Sequence, residues 1–451
     1  MSITFQRSFE KKKLFNLKLV SLFLTTFSLS LSNDYVGATT LNNGHKEVLD
    51  HVWQIVYRDF LDSSGKFERS NWIDIRKEFL SKRYSDTQEA YDAIREMLSS
   101  LEDPYTRFLE PSEFNQMRID TSGELTGVGI QIVKDKESDD LIIVSPIEGT
   151  PAHQAGIKAR DKILSIDDVS TRGMNIEDAV RLIRGPRGTK VKLEILRNGN
   201  SFYKSLSRER IEIKSVSKKI NQSKKGLLIG YLRIKQFNAN ASREMKDALN
   251  SLETKKVSGY ILDLRSNPGG LLESSVDISR QFINKGIIVS TLTRDGLKEI
   301  KRGNGQALTK KPLVVLVNEG SASASEIVSG AIRDNKRGKL IGKKTFGKGL
   351  VQSMRTLVDG SGLTVTVAKY LTPNGTDINK FGILPDIEVD LNNSILLTEI
   401  GTRKDKQYRI GEKELIKLIE KKNETTKFDP KTTNLNAFLN NNKKESIFSF
   451  N

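Results

Sequence analysis

Three serines stand on alternate positions in EGSASASEIVSGAI (Glu319 to Ile332), directly before an apolar, helix-like run. The strand-like run LVVLV (Leu313–Val317) leads through Asn318, Glu319 and Gly320 into them. A side chain at that junction would sit at the carboxyl end of a strand with a helix N-terminus behind it. Backbone N–H groups in such a place can hold a developing oxyanion, and a serine there can attack a carbonyl if something takes its proton. Ser323-Ala324-Ser325-Glu326 is equally a capping box, with Ser323 at the N-cap and Glu326 at N3. The proton acceptor decides between the two.

Histidine is the usual acceptor, yet the chain has only His45, His51 and His153, all in its first third. A Ser-His-Asp triad confined to the later half is therefore excluded, although one assembled across domains is not. Lysine is the alternative, provided it is neutral. With a reference pKa near 10.4, about one lysine in 2,500 is neutral at pH 7. Lowering that pKa by about three units takes roughly 4 kcal/mol, which burial can supply. Lys348 in TFGKGLVQ is the candidate. No acidic residue occurs between Asp334 and Asp359, and Gly347 and Gly349 allow close backbone approach. Gln352, four residues on, shares its face if the segment is a strand, and its side-chain carbonyl could orient the amine. By itself FGKG also fits a surface hairpin turn. A third piece is LDLRSNPGGLL (Leu262–Leu272), whose Asn-Pro-Gly-Gly follows a buried strand. It is either an ordinary tight turn or half of an oxyanion hole.

These pieces need elements to position them. Residues 45–107 have apolar positions at three- and four-residue steps, as in HKEVLDHVWQIVYRDFL, and are predicted to be packing helices with no chemistry of their own. From Gln116 to Arg208 short strands, among them GVGIQIV (Gly127–Val133) as one strand, and a single helix predict a small, partly open β-barrel. From about Ile211 the runs GLLIGYLRI, SGYILDL and PLVVLVN alternate with helical segments at Ser242–Leu252 and Leu272–Phe282, an α/β core with strands buried on both faces. After Val389 come a further helix, KELIKLIEKK, and a Lys/Asn-rich tail.

Composition narrows the class. Hydrophobic residues make up 37% and charged residues 29% of 451, a globular balance. With no cysteine, disulfides, thiol chemistry and cysteine-ligated metals are excluded. The net charge of +17 suits anionic partners or membrane surfaces, or simply solvated lysines. No nucleic-acid-binding motif occurs. Lys11–Lys13, the 13-residue apolar run Leu19–Leu31 and small residues Val36 and Ala38 have the layout of a signal peptide. The run is short of the roughly 20 residues that span a bilayer, so export with cleavage near Thr39 is expected.

Together, VNEGSASASEI, GKKTFGKGLVQ, DLRSNPGG and the later YLTPNGTDINKFGILPDIEV (Tyr370–Val389) resemble the carboxyl-terminal processing peptidases, tail-specific proteases with a Ser–Lys dyad. The resemblance runs from about Val48 to Val389. It implies Ser323 as nucleophile, Lys348 as general base 25 residues later, Gln352 orienting the lysine and Glu326 supporting the site. Ala324 and Gly269 N–H groups would form the oxyanion hole, with Ser321 and Ser325 filling the turn. No metal or cofactor is implied. The β-rich module becomes a PDZ domain. Its LTGVGIQI loop would receive a substrate's free, apolar C-terminus on the N–H groups of Val128, Gly129 and Ile130. Arg184 is either a link between that module and the site or a surface charge.

The implied organisation is a signal peptide (1–38), a helical region (39–115), a PDZ domain (116–208), a crotonase/ClpP-like α/β protease core (209–400) and a C-terminal helix and tail (401–451). The chain departs from the family at Arg160 in AGIKARDKI, where glycine is usual. The long helical region and LEDPYTRFLEPSEF look like the phototroph branch. Those enzymes trim the photosystem II reaction-centre precursor in the thylakoid lumen, and periplasmic relatives share the architecture. Two other readings stay open: an inactive PDZ scaffold that recruits tails, and a crotonase-like acyl-transfer enzyme.

Overall fold

Amphipathic repeats build the first three helices: α1 (Leu41–Asp59), α2 (Arg69–Ser81) and α3 (Thr87–Ser99). The computed structural model describes residues 41–427 apart from 63, 64, 66, 136 and 391–396. The expected signal peptide (1–38) and most of the Lys/Asn-rich tail lie outside the described residues. Asp86 caps α3 by accepting the Glu89 N–H at 2.8 Å. The buried stripe Tyr91, Ile94, Met97 and Leu98 then meets Leu49, Val52 and Val56 of α1.

The helical reading expected to reach residue 107 fails after α3. Proline at 104 disfavours the helical conformation for Asp103. The Asp103 carboxylate accepts the Tyr105 N–H at 3.2 Å and the Thr106 hydroxyl at 2.7 Å, which fixes a turn instead. The chain continues as β1 (Arg107–Leu109) and α4 (Pro111–Ser122), a helix that crosses the boundary expected at 115/116.

The next stretch holds β2 (Glu124–Gly127), β3 (Ile130–Lys134), β4 (Leu141–Pro146), α5 (Pro151–Gln154), β5 (Lys162–Ile166) and β6 (Val169–Ser170). It continues with α6 (Ile176–Ile183), β7 (Lys190–Arg197), β8 (Asn200–Ser207) and β9 (Glu209–Glu212). An antiparallel sheet runs β3-β4-β5-β7-β8, with β6 on β5, while β2 pairs with β9. With β3 and β8 as its edges the sheet does not close, in keeping with the partly open form expected. GVGIQIV, expected as one strand, is broken at Gly129. There φ is +79°, the carbonyl accepts the Ile147 N–H at 2.8 Å, and an added Cβ would lie 2.3 Å from the Thr150 side chain. Helix α6, capped by Asn175, lies beside the free edge strand β3. Arg160 does take positive φ, +70°.

The remaining elements are β10 (Val216–Gln222), β11 (Leu228–Ile234), α7 (Ala241–Thr254), β12 (Gly259–Asp263), α8 (Leu272–Phe282), β13 (Ile287–Thr293) and β14 (Lys298–Arg302). They are followed by β15 (Leu313–Val317), α9 (Ala324–Asp334), β16 (Lys339–Gly342), β17 (Leu350–Thr356), β18 (Gly362–Leu371), β19 (Ile387–Glu388) and α10 (Lys406–Lys427). One sheet is ordered β10-β11-β12-β15-β16-β19, parallel from β11 onward.

Side chains alternate between the two covered faces of the sheet, so every residue of β12 and β15 is buried and, apart from Asp263 at the end of β12, none is charged. Leu262 and Val315 face the cluster that includes Leu249, Ile278 and Val328 of helices α7 to α9. Ile261 and Val314 face Tyr408 and Leu415 of α10. In a second, antiparallel sheet β18 pairs with β17 along one edge and with β1 and β13 along the other. The N-terminal region thus enters the core as a strand. Among the described residues, no helix is long and apolar enough to cross a membrane.

Candidate active site

Strands β12 and β15 run parallel and adjacent, so the loops after them, 264–271 and 318–323, emerge side by side. Side chains and backbone stitch the two together. Ser321 donates its hydroxyl to the Leu264 carbonyl at 2.8 Å, and Ser325 donates to the Asn267 carbonyl at 2.9 Å. The Ala322 N–H reaches the same Asn267 carbonyl at 3.0 Å, and Asn318 Oδ1 accepts the Ser266 N–H at 2.7 Å. Ser321 and Ser325 are completely buried in these bonds, whereas Ser323 is half-buried and lines a cleft of about 1960 Å³. The three serines are therefore sorted by position: two hold the loops and one faces the cleft.

Ser323 has φ +54° and ψ −113°, a conformation that costs a non-glycine residue on the order of 1–3 kcal/mol. Close packing enforces it. A Cβ on Gly269 (φ +107°) would lie 2.8 Å from both the Ala322 carbonyl oxygen and Ser323 Cβ, so the NPGG turn needs glycine there.

Glu326 holds the other side. Its side chain has 0% exposure, and its carboxylate accepts four hydrogen bonds. Oε1 takes the Thr345 hydroxyl at 2.6 Å and the Gly347 N–H at 2.7 Å. Oε2 takes the N–H groups of Ser323 and Lys348, each at 2.9 Å. The expected capping interaction of Glu326 with the Ser323 N–H is present, and the same carboxylate also shapes the lysine loop.

Lys348 precedes β17 rather than lying within it, so its relation to Gln352 is not the simple alternation of a strand; a bulge also falls between Val351 and Gln352. Burial pushes the Lys348 amine below its ordinary pKa and Arg107 pushes the same way, against Asp103 and Glu326. No salt bridge or hydrogen bond to its Nζ occurs among the described residues. The ring of Tyr105 lies against it, 4.7 Å from Nζ to the centroid. Ser323, Lys348 and Gln352 line the one cleft. Gln352 donates to the Thr366 hydroxyl at 3.4 Å, and Thr366 donates in turn to Asp103 at 2.6 Å. Among the described residues no hydrogen bond joins Gln352 to Lys348, or Lys348 to the Ser323 hydroxyl, and catalytic contacts often tighten only with substrate.

Of the two expected oxyanion donors, the Ala324 N–H opens helix α9 and has no intrahelical acceptor. The Gly269 N–H is already donated to Asn267 Oδ1 at 2.9 Å.

On the PDZ side, helix α6 forms one wall of the same cleft through Ile176, Val180 and Arg184. Arg184 donates to Gln116 of α4 at 3.2 Å, and burial pushes its pKa down. It joins α6 to α4 and makes no direct contact with Ser323 or Lys348 among the described residues. Val128, Gly129 and Ile130 lie at the start of edge strand β3, outside the lining of the cleft.

The sequence reading missed Asp103, Tyr105 and Arg107, because it assigned residues 45–107 to packing helices, and it gave no role to Thr366 on β18. The signal was local: DPYT breaks the helical period and clusters polar residues around a proline. Among the described residues, no group of three or more histidine, aspartate or glutamate side chains is placed to hold a metal ion.

The chain is similar to known proteins over most of its length. Residues 228–389 match the model of peptidase family S41, and residues 142–197 match a PDZ domain model. A carboxyl-terminal-processing protease of Synechocystis sp. is 44% identical over 366 residues, covering 81% of this chain and 85% of the relative. The chloroplastic C-terminal processing peptidase of Tetradesmus obliquus is 38% identical over 354 residues, 75% of this chain and 76% of the relative. The solved structure of a photosystem II D1 C-terminal processing protease superposes with a TM-score of 0.50 at 36% identity, covering 77% of this chain and 93% of that one. The chain belongs to peptidase family S41, as a carboxyl-terminal processing serine protease with a PDZ domain.

Proposed function

We propose that Ser323 is the nucleophile and Lys348 the general base of this protease. The observation that carries the reading is that Ser323 and Lys348, both half-buried and the lysine without an ion pair among the described residues, line one cleft, their backbones held by one carboxylate. Ser323 Oγ attacks the carbonyl carbon of the scissile peptide while its proton passes to neutral Lys348 Nζ. Lys348 then gives the proton to the leaving amine as the C–N bond breaks. Water, deprotonated by the same amine, releases the acyl group from Ser323.

The developing oxyanion would be held by the Ala324 N–H and by the turn around Gly269. The Gly269 N–H must exchange Asn267 Oδ1 for the oxyanion to take part. Glu326 supports both loops, and Gln352 would orient Lys348 from its tether on Thr366.

Substrates are proteins with free, apolar C-terminal tails. The free edge of β3 beside α6 supports strand addition, with the N–H groups of Val128, Gly129 and Ile130 taking the terminal carboxylate. Arg184, reaching from α6 to α4, suits a link between that site and the core. The name of one solved relative, a photosystem II D1 C-terminal processing protease, supports the D1 precursor as one particular substrate. The signal-peptide layout of the N-terminus supports action after export, in a thylakoid lumen or periplasm. The net charge of +17 suits work near an anionic membrane surface. We take the working units to be 1–38, 39–115, 116–208, 209–400 and 401–451, with helix α4 running from the second into the third.

The test is mass-spectrometric cleavage of one long peptide with a free apolar C-terminus, beside its amidated copy. Cleavage lost in Lys348→Ala and weakened by amidation supports the reading. Tight binding without cleavage by the folded wild type would favour a recruiting scaffold.

A further inference from the structure

The Lys348 amine has a wall drawn from far away in sequence. Tyr105, in the turn that Asp103 and Pro104 impose between α3 and β1, lays its ring 4.7 Å from Nζ. The turn is anchored to the core. Asp103 accepts from Thr106 and Thr366, and the Thr366 N–H donates to the Thr106 hydroxyl at 3.1 Å. The backbone that carries the ring is consequently held, and the ring lines the cleft that holds Ser323 and Lys348.

We propose that Tyr105 is a positioning residue for catalysis, its ring acting as the water-excluding wall that keeps the Lys348 amine neutral. This rests on the reading of Lys348 as the base.

Two effects of the ring oppose each other. Its π face attracts an ammonium, an effect of roughly one pH unit at a partly desolvated site. Its bulk removes water from the amine, and burial moves lysines by up to about three to five units in the other direction. Exclusion of water wins if the site is dry. The charged and titratable groups around Lys348 are Arg107 on β1, which disfavours the cation, Asp103 in the turn and Glu326 on α9, which favour it, and Tyr105 itself. Burial accordingly leads the downward displacement of the lysine.

The tyrosine hydroxyl is not needed for this role, which separates the wall from hydroxyl chemistry. Two readouts test it: the pH dependence of kcat/KM for peptide cleavage, and the pH dependence of Lys348 modification by an amine-reactive reagent, mapped by mass spectrometry. Tyr105→Phe keeps both the bulk and the π face, so its midpoints stay at the wild-type position, whereas Tyr105→Leu keeps the bulk without the π face, so its midpoints stay or fall but do not rise. Tyr105→Ala and Tyr105→Ser admit water, and both midpoints rise by about one pH unit, roughly a tenfold loss of rate below the limb. Unmoved midpoints in both small variants, with folding verified by circular dichroism, would overturn the proposal. So would an upward shift in Tyr105→Phe equal to that in Tyr105→Ala. The modification arm does not depend on catalysis. If Lys348→Ala retained full activity the base assignment would fail, and the labelling midpoint would still decide whether Tyr105 keeps the amine dry.

Discussion

The backbone N–H groups of Ser323 and Lys348 end on a single oxygen, Oε2 of Glu326, each at 2.9 Å. Residues 25 apart in sequence are thereby held in fixed register by one buried carboxylate. That carboxylate starts helix α9 and shapes the loop before β17 at the same time.

Glu326→Gln removes this register. An amide has one acceptor oxygen and an NH₂ group that cannot accept, so at least one pair of the four donors now facing Glu326 loses its partner. Buried unsatisfied donors cost about 1–3 kcal/mol each. A fall in stability of about 3 kcal/mol by denaturant titration is expected, with loss of cleavage even under conditions where the variant remains folded. Wild-type stability would contradict the bonding described.

A lysine base dictates the sign of the pH dependence. Burial lowers the Lys348 pKa, so the neutral amine appears below the usual lysine range and activity rises with pH through that lowered value. Lys348→Arg keeps charge and length but cannot lose its proton near neutrality. Cleavage should fall by at least about a thousandfold at every pH from roughly 6 to 9, an order-of-magnitude figure for loss of the base and the alignment it provides. Appreciable activity of Lys348→Arg at neutral pH would speak against proton transfer to this side chain.

Asp405 makes a different prediction. Arg265, in the LDLR strand end, is sandwiched between Asp263 and Asp405, with Nη2 at 2.5 and 2.6 Å from their oxygens and all three side chains buried. Tyr231 donates to Asp263 at 2.6 Å. The network ties the start of α10 to the strand that leads into NPGG. Asp405→Ala leaves Arg265 half-paired in the interior and should cost about 3–5 kcal/mol. Burial pushes the Asp405 pKa up, but the Arg265 bonds outweigh it and the net displacement is downward. Its contribution to stability is therefore full above the unfolded value of about 4 and is lost as pH falls through the lower folded value. Wild type should lose stability below about pH 4 more steeply than Asp405→Ala; equal slopes in thermal melts would refute this.

Arg160 holds φ +70° in the turn before β5, and its side chain is exposed. A non-glycine residue in the left-handed region gives up about 1–2 kcal/mol, and glycine returns about 0.5–1 kcal/mol through its greater freedom when unfolded. Arg160→Gly should stabilise the PDZ module by roughly 0.5–1 kcal/mol, read from its melting temperature. A lower melting temperature would mean that the arginine side chain contributes a contact worth more than its strain.

Much of this was legible because it is written locally. Continuous apolar runs gave β11, β12 and β15, and Ser323, Lys348 and NPGG carry motifs whose residue types limit the chemistry. What was not legible depends on contacts between distant segments. Lys348 has no acidic neighbour in sequence, yet Asp103 and Glu326 come near it in space. Tyr105 and Thr366 reach the site only because β1 pairs with β18 more than two hundred residues later. Gly269 looked like a free donor until Asn267, two residues before it, was seen to accept its N–H. The break in GVGIQIV depends on Thr150 crowding Gly129, which no period in the strand records.

The most direct test of the central claim is to trap the acyl-enzyme. A slow activated ester or β-lactone is reacted with the protein, quenched in acid, and the labelled residue is mapped by mass spectrometry. Label on Ser323 alone, with the rate rising with pH in the wild type and nearly abolished in Lys348→Arg, is the expected result. Label on Ser321 or Ser325, or labelling of Ser323 at an undiminished rate in Lys348→Arg, would contradict the account.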